Sequence, residues 1–281
     1  MFLPTTYLFV PGNRPERFAK ALVSGADRII IDLEDAVAPA DKAAARTAIS
    51  QWMGNVGAGH ERVLIRINDA ATAWHTDDLA LVSGVHASCV MLPKCEAASQ
   101  VAMVLASLTH KATVLPLIET ARGMVALQEI AAAPGVVRLA FGSLDYMVDL
   151  DLPSDSPALD FAAAQIAIAS RASGIASPVA GVTPDLDASR VTADMVGARA
   201  LGFGAKMCIH PLQVAAVHAA LAPSAEELAW AQRILQAWRA SSGGALQVDG
   251  KMVDRPVVLK AERILAHAAL TQGGTPDTLT A

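Results

Sequence analysis

Eight short apolar runs, "YLFV", "RIIIDL", "VLIRI", "CVMLP", "TVLPLI", "VRLAFG", "SPVAGV" and "AKMCIH", recur along the chain between Tyr7 and His210. Runs this short, with no alternation of polar and apolar residues, suit strands of a parallel sheet buried on both faces. Between most of them lie Ala-rich segments with helical spacing, at Lys42 to Met53, Ala97 to Leu108, Ala158 to Ser173 and Ala188 to Leu201. Strands alternating with helices predict βαβ units. Such units can close into a barrel or remain an open, doubly wound sheet, and periodicity does not separate the two.

The polar residues do separate them. Glu34 and Asp35 follow "IIIDL", Arg66 follows "LI", Glu119 follows "LPLI" and Asp145 follows "LAFGSL". Each falls at the C-terminal end of a different predicted strand, where barrel active sites are built, whereas an open sheet would gather them at a switch point. No GxGxxG or Walker A motif follows the first run, which weakens a nucleotide-binding reading. The expectation is an α/β fold, a (β/α)8 TIM barrel over residues 1–222, with a C-terminal helical extension or lid over residues 223–281. The extension contains a helical stretch "SAEELAWAQRILQAW", a turn-rich "RASSGGALQVDGKMVDRP" and a further helix from Val257 to about Leu270. Ser241, Gly243 and Gly244 mark a hinge, so the tail is expected to act as a lid or as an arm exchanged between subunits. The final "TQGGTPDTLT" before Ala281 reads as a frayed end.

Composition excludes some classes of partner. With 281 residues, 53% hydrophobic, the chain can bury a large core, and a formal net charge of -5 with no Lys/Arg tract offers no basic field for nucleic acid. No stretch reaches roughly 18 uninterrupted apolar residues, and the N-terminus lacks the order of a secretion signal. A cytoplasmic protein with no membrane partner is expected. Cys89, Cys95 and Cys208 have no CxxC spacing and read as small core hydrophobes.

A carboxylate at the mouth of an apolar strand needs a cation, a donor or water. Glu119 and Asp145 lie about one strand–helix unit apart, which places them on neighbouring strand ends, and a divalent cation such as Mg²⁺ takes one or two carboxylates and completes its shell with water or substrate oxygens. The competing reading pairs Glu119 with Arg122 and makes Asp145 a helix cap. Arg66 has a guanidinium suited to a substrate carboxylate or an oxygen gaining negative charge, or else forms a buried pair with Glu34 or Asp35. Glu34 and Asp35 are adjacent, so in a strand they would face opposite ways and only one would reach the mouth. Arg14, Arg17 and Lys20 suit phosphate groups, or form a solvated helix face beside Glu16. His210, in "CIHP", reads as a packed histidine. Asp254, from spacing alone, is a turn residue or helix cap.

The stretches "LFVPGNRPERFAKA", "IIIDLEDAV", "VLIRIN", "LPLIETARG", "AFGSLDY", "ARALGFGAKMCIHPLQV" and "GKMVDRPVV", in order from Thr5 to about Leu265, resemble the citrate lyase β-subunit-like family of the HpcH/HpaI aldolase and citrate lyase superfamily. The resemblance implies a (β/α)8 barrel with a C-terminal extension, Mg²⁺, and carbon–carbon lyase chemistry on hydroxyacyl thioesters, usually of coenzyme A. It implies that Glu119 and Asp145 hold the metal and that Arg66 holds an oxygen of substrate or enolate; Glu34 and Asp35, at the end of the second predicted strand, are expected to help bind substrate. It further implies that the Arg14, Arg17 and Lys20 cluster meets the CoA phosphates and that Asp254 is a catalytic aspartate, which some relatives bring from a neighbouring subunit of a homo-oligomer, here expected to be a trimer or hexamer. One departure stands out: many relatives carry an acidic residue in the segment where this chain reads "SPVAGVT", with Ala180. The expected reaction is cleavage of malyl-, citramalyl- or a related CoA thioester to an acyl-CoA and a 2-oxo acid. The alternatives are the citryl-carrier-protein lyase subunit of a citrate lyase complex, a metal-dependent aldolase on a free hydroxy-oxo acid, and a catalytically silent barrel that serves as a binding subunit.

Overall fold

The computed structural model describes residues 3–241 and 245–271. Gly243 and Gly244 of the expected hinge, and the expected frayed end past Thr271, lie outside the described residues. The chain divides into two compact units, one over Leu3–Leu221 and one from Ala222 onward. Among the described residues no helix is long and apolar enough to cross a membrane.

Each of the eight apolar runs contains a strand. They are β1 (Thr6–Pro11), β2 (Arg28–Asp32), β3 (Val63–Arg66), β4 (Cys89–Leu92), β5 (Thr113–Ile118), β6 (Ala140–Phe141), β7 (Val179–Ala180) and β8 (Ala205–Cys208). All pair in parallel with their sequence neighbours, and β8 pairs back to β1, so the sheet closes into a barrel in simple sequence order. Closure leaves no sheet edge exposed.

The period of two along each strand divides the apolar residues between two cores. Tyr7, Ile30, Leu64, Met91, Leu117 and Met207 fill the barrel interior. Their strand neighbours, such as Leu8, Ile29, Ile31 and Ile65, face outward and pack with Phe18, Ile49, Val101 and Ile166 from the surrounding helices. Those helices include α1 (Phe18–Leu22), α2 (Lys42–Met53), α3 (His75–Gly84), α4 (Ala98–Ala106), α5 (Ala121–Val125), α6 (Leu127–Ala132), α7 (Ser143–Asp149), α8 (Pro157–Ala172), α9 (Ala188–Ala200) and α10 (Leu212–Leu221). Local caps fix several starts. Thr120 Oγ1 accepts from the Gly123 N–H at the head of α5, and Asp187 accepts from the Ser189 and Arg190 N–H groups at the head of α9. The three cysteines are free, with Cys95 and Cys208 buried and their thiols pushed up to about 12 by that burial, as packing residues should be.

The second unit contains α11 (Ala225–Ala240), a hairpin of β9 (Leu246–Val248) and β10 (Lys251–Val253), and α12 (Arg255–Thr271). Ala231, Ile234, Val253, Val258, Ala261 and Ile264 form its core. The segment read as turn-rich therefore holds an antiparallel pair. Its turn is Asp249-Gly250, both with positive φ (50° and 74°), the left-handed conformation that a tight two-residue hairpin needs. The helix after it begins at Arg255, two residues earlier than expected, because Pro256 in a first turn forfeits no intrahelical hydrogen bond.

Candidate active site

The same period of two decides which polar side chains enter the barrel mouth. Ile30 and Leu64 point inward, so Asp32 and Arg66, two residues on, do so one layer higher; Leu117 points inward, and Glu119 follows by the same rule. Asp32 and Arg66 are register partners on adjacent strands. Arg66 Nε donates to Asp32 Oδ1 at 2.7 Å and Nη2 to Asp32 Oδ2 at 2.6 Å, a bidentate pair. Glu34 Oε2 lies 2.8 Å and Asp35 Oδ2 3.4 Å from Arg66 Nη1. The guanidinium also lies over the Phe9 ring, 4.9 Å from its centroid. Burial would lower the Arg66 pKa, but Asp32, Glu34 and Asp35 outweigh it and hold the residue firmly charged.

The expectation that Glu34 and Asp35 face opposite ways is thus corrected: both reach Arg66. Strand β2 ends at Asp32, whose carboxylate accepts from the N–H groups of Glu34 (2.9 Å) and Ala36 (3.1 Å) and turns the chain over itself. Beneath this turn, the buried Lys42 Nζ donates to Leu33 O at 2.8 Å, Glu34 O at 3.0 Å and Asn68 Oδ1 at 2.6 Å. Asn68 is fixed in turn by Asp78 Oδ2, which accepts from its Nδ2 at 2.6 Å and its backbone N–H at 2.8 Å. Sequence reasoning missed Asp32, Lys42 and Lys94. The signal for Asp32 and Lys94 was present, since each stands at or just past the end of an apolar run.

Lys94 joins two of the acids. Its Nζ donates to Glu34 Oε1 at 3.0 Å and its backbone N–H to Glu119 Oε1 at 2.7 Å, with the backbone at a positive φ of 44°. Glu119 is 2% exposed. Burial pushes its carboxyl up to about 8; the Lys94 N–H and Arg66 oppose the rise, and Glu34 and Asp145 add to it. Its second oxygen has no hydrogen-bond donor among the described residues. Gly142 makes room for it, because a Cβ there would come within 2.6 Å of Glu119 Cβ. Arg122 does not pair with Glu119; it lies 3.9 Å from Glu96 instead.

A cavity of about 380 Å³ gathers Asp32, Asp35, Arg66, Glu119, Ser143 and Asp145 among its lining residues. Asp145 sits in the first turn of α7, exposed, and accepts no hydrogen bond from a described residue. Asp32, Glu34, Asp35, Glu119 and Asp145 in and beside this cavity outnumber the cations near them, Arg66, Lys94 and the buried Lys42, an excess of negative charge. Among the described residues no three His, Cys, Asp or Glu side chains form a ready-made metal cage. Two carboxylates with oxygens left free nevertheless fit a hard cation that keeps most of its shell for water and substrate.

The other candidates lie elsewhere. Arg14 and Arg17 are about half exposed and flank Glu16 at 3.1 and 3.9 Å, Lys20 is exposed, and none of the three lines the cavity. His210 Nδ1 accepts from the Leu212 N–H at 3.2 Å. Asp254 belongs to the second unit, where its Oδ1 accepts from Val257 N–H at 3.4 Å and its carbonyl from Val258 N–H at 3.1 Å, so it caps α12.

The profile of the HpcH/HpaI aldolase/citrate lyase family matches residues 5–211. A citrate lyase subunit beta-like protein of Mycobacterium tuberculosis is 40% identical over 270 residues, covering 93% of this chain and 94% of its own. A (3S)-malyl-CoA thioesterase of Cereibacter sphaeroides is 31% identical over 266 residues, covering 93% of each chain. Among solved structures, the CitE protein of M. tuberculosis in complex with magnesium, acetoacetate and coenzyme A superimposes with a TM-score of 0.85 at 38% identity, covering 95% of this chain and 98% of that one.

Proposed function

Because the chain belongs to the HpcH/HpaI aldolase/citrate lyase family, we propose that it is a Mg²⁺-dependent carbon–carbon lyase that cleaves malyl-, citramalyl- or a related β-hydroxyacyl-CoA to an acyl-CoA and a 2-oxo acid. The observation that carries this reading is the convergence of Arg66, Glu119 and Asp145 on one cavity from separate βα units. The magnesium and coenzyme A bound by the M. tuberculosis CitE protein support the choice of cofactor and substrate class.

In such a cleavage the hydroxyl loses its proton, the bond between the hydroxyl carbon and the thioester α-carbon breaks, and its electrons pass to the thioester carbonyl. Glu119 and Asp145 would hold the metal, with Glu119 oriented by the Lys94 N–H. Bound Mg²⁺ would supply Lewis acidity toward the substrate hydroxyl and the adjacent carboxylate. Arg66, oriented by two aligned hydrogen bonds to Asp32 and with its Nη1 beside Glu34 and Asp35, would stabilise the oxygen that gains charge. Glu34 and Asp35 steady that guanidinium, and through it the substrate. Asp254 would return a proton to the enolate carbon, or remove it in the condensation direction. Arg14, Arg17 and Lys20 would meet the CoA phosphates, and the working assembly would be a homotrimer or hexamer.

The test is a panel of CoA thioesters assayed for 2-oxo acid with and without Mg²⁺. Metal-dependent release of 2-oxo acid with CoA still acylated is expected. The C. sphaeroides thioesterase favours a second reading, hydrolysis of the malyl thioester, which free thiol without 2-oxo acid would identify. Neither product from any thioester would sink both readings. Asp254→Asn should keep thioester binding and lose roughly 100-fold or more in turnover.

A further inference from the structure

A second cavity, of about 550 Å³, lies outside the barrel wall, where β6, β7 and β8 face α8 and α9. The period of two again decides its lining. Val179, Ala205 and Met207 point into the barrel, so Ala180 and Lys206 point out, and they are register partners on β7 and β8. The space exists because the facing positions are small: Ala163 on α8, Ala180 and Gly181 at β7, and Ala193 and Gly197 on α9. A Cβ on Gly197 would meet nothing within 4 Å. Leu159, Phe141, Leu201 and Phe203 add apolar wall.

Lys206 reaches this cavity although it is only 4% exposed. An ammonium carries three donors. Among the described residues Lys206 makes one hydrogen bond, from Nζ to Gly181 O at 2.7 Å. No carboxylate of a described residue lies within ion-pair distance of it. Asp194 also lines the cavity and its charge favours the ammonium, but both its oxygens have nearer partners, Oδ2 accepting from Thr183 Oγ1 at 2.7 Å and Oδ1 lying 3.2 Å from Arg190 Nε. Asp160 lines the cavity from the first turn of α8, where it is exposed and screened by solvent. A buried cation with donors to spare, at the wall of an apolar space, is costly unless an anion completes it.

We infer that this cavity is a binding site for a small carboxylate with a short aliphatic body, its head on Lys206 and its chain against the Ala, Gly and Leu walls. The volume, the largely apolar lining and the one buried cation match the general anatomy of small-ligand pockets. The site is distinct from the candidate active cavity, although Ser143 and Val182 border both. The inference does not depend on the lyase reading, and its test uses no thioester.

The probe is hexanoate, titrated into the full-length protein by calorimetry, with hexanamide as the neutral counterpart. Hexanoate should bind one-to-one, with hexanamide about tenfold weaker or worse, the scale of a charge-assisted hydrogen bond. Lys206→Met and Ala180→Asp should each weaken hexanoate at least about tenfold, the first by removing the cation and the second by setting a carboxylate beside it. Arg66→Lys should leave hexanoate binding unchanged. The Lys206 and Ala180 variants alter different strands, one by losing the ammonium and the other by setting a carboxylate opposite it, so misfolding of one, seen by circular dichroism, leaves the other decisive. Equal binding of hexanoate and hexanamide, full hexanoate affinity in the folded variants, loss of binding in Arg66→Lys instead, or no binding at millimolar hexanoate would each overturn the inference.

Discussion

The two ends of the barrel treat charge in opposite ways. At the N-terminal end Asp27 accepts from Thr5 N–H (2.7 Å), Thr5 Oγ1 (2.8 Å) and Thr6 N–H (3.1 Å), with His218 Nε2 3.4 Å away. Arg138 donates to the carbonyls of Pro4 and Ser177, and Arg62 to those of Ala26 and Asp27. Burial alone would raise the Asp27 carboxyl, yet the bonds from His218 and Thr5 hold it well below the usual carboxylate range. At the C-terminal end burial dominates: Glu34 and Glu119 are pushed up, and the acids outnumber the cations. A group closed by protein partners serves stability; one left short of partners is stabilised only by what binds there.

That contrast can be broken most decisively at Arg66. Arg66→Lys keeps the charge but not the fork that grips Asp32, and should lower turnover of a cleaved thioester by about 10²–10³-fold with the fold intact by circular dichroism. A near-normal rate would remove Arg66 from the chemistry. Gly142→Ala comes next: the added methyl must push Glu119 aside, and a displacement of that size should cost about 100-fold in turnover. An unchanged rate together with unchanged Mg²⁺ dependence would separate Glu119 from the site.

The N-terminal end should answer with stability instead. Asp27→Asn should cost about 1–3 kcal/mol at pH 7 in urea denaturation, with turnover unaffected. Because the folded pKa of Asp27 is depressed, its contribution is present above the unfolded value and lost as pH falls below about 4, so the gap between wild type and variant should narrow there. Glu119 has the opposite sign. Its folded pKa is raised, so the metal-free protein loses stability as pH climbs from the unfolded value toward about 8. Glu119→Gln should therefore raise Tm over the metal-free wild type at pH 8 and make little difference at pH 5. A gain of equal size at both pH values would contradict the assigned cause. The smallest effect is expected at the exposed cluster: Arg14 and Lys20 replaced together by Ala should raise KM for a CoA thioester only about two- to fivefold, since solvent screens these charges. A larger effect on kcat than on KM would place them at the chemistry.

Much of this was legible in the sequence because it is local. An apolar run of a few residues must be buried on both faces to be a strand, and eight of them alternating with helical segments leave few architectures. The residue types at the strand ends were legible too, since Arg66 and Glu119 interrupt apolar runs where a charge needs a reason. The hairpin over residues 246–253 was overlooked despite its Asp-Gly turn, because strands of three residues have too little alternation to stand out.

Partner choice was decided only by the tertiary structure. Glu34 and Asp35 stood as rivals for Arg66, while the side chain that grips it twice is Asp32, its register neighbour across β2 and β3. Glu119 took a backbone N–H from Lys94, a residue of another strand end, in place of the nearby Arg122. The buried Lys206 beside the cavity behind β7 and β8 likewise depends on Ala180 standing opposite it. The amino-acid sequence fixes which groups each segment presents and on which face, through propensity and period; which of them meet depends on strand register and barrel closure, and these are set by packing among residues far apart in the chain.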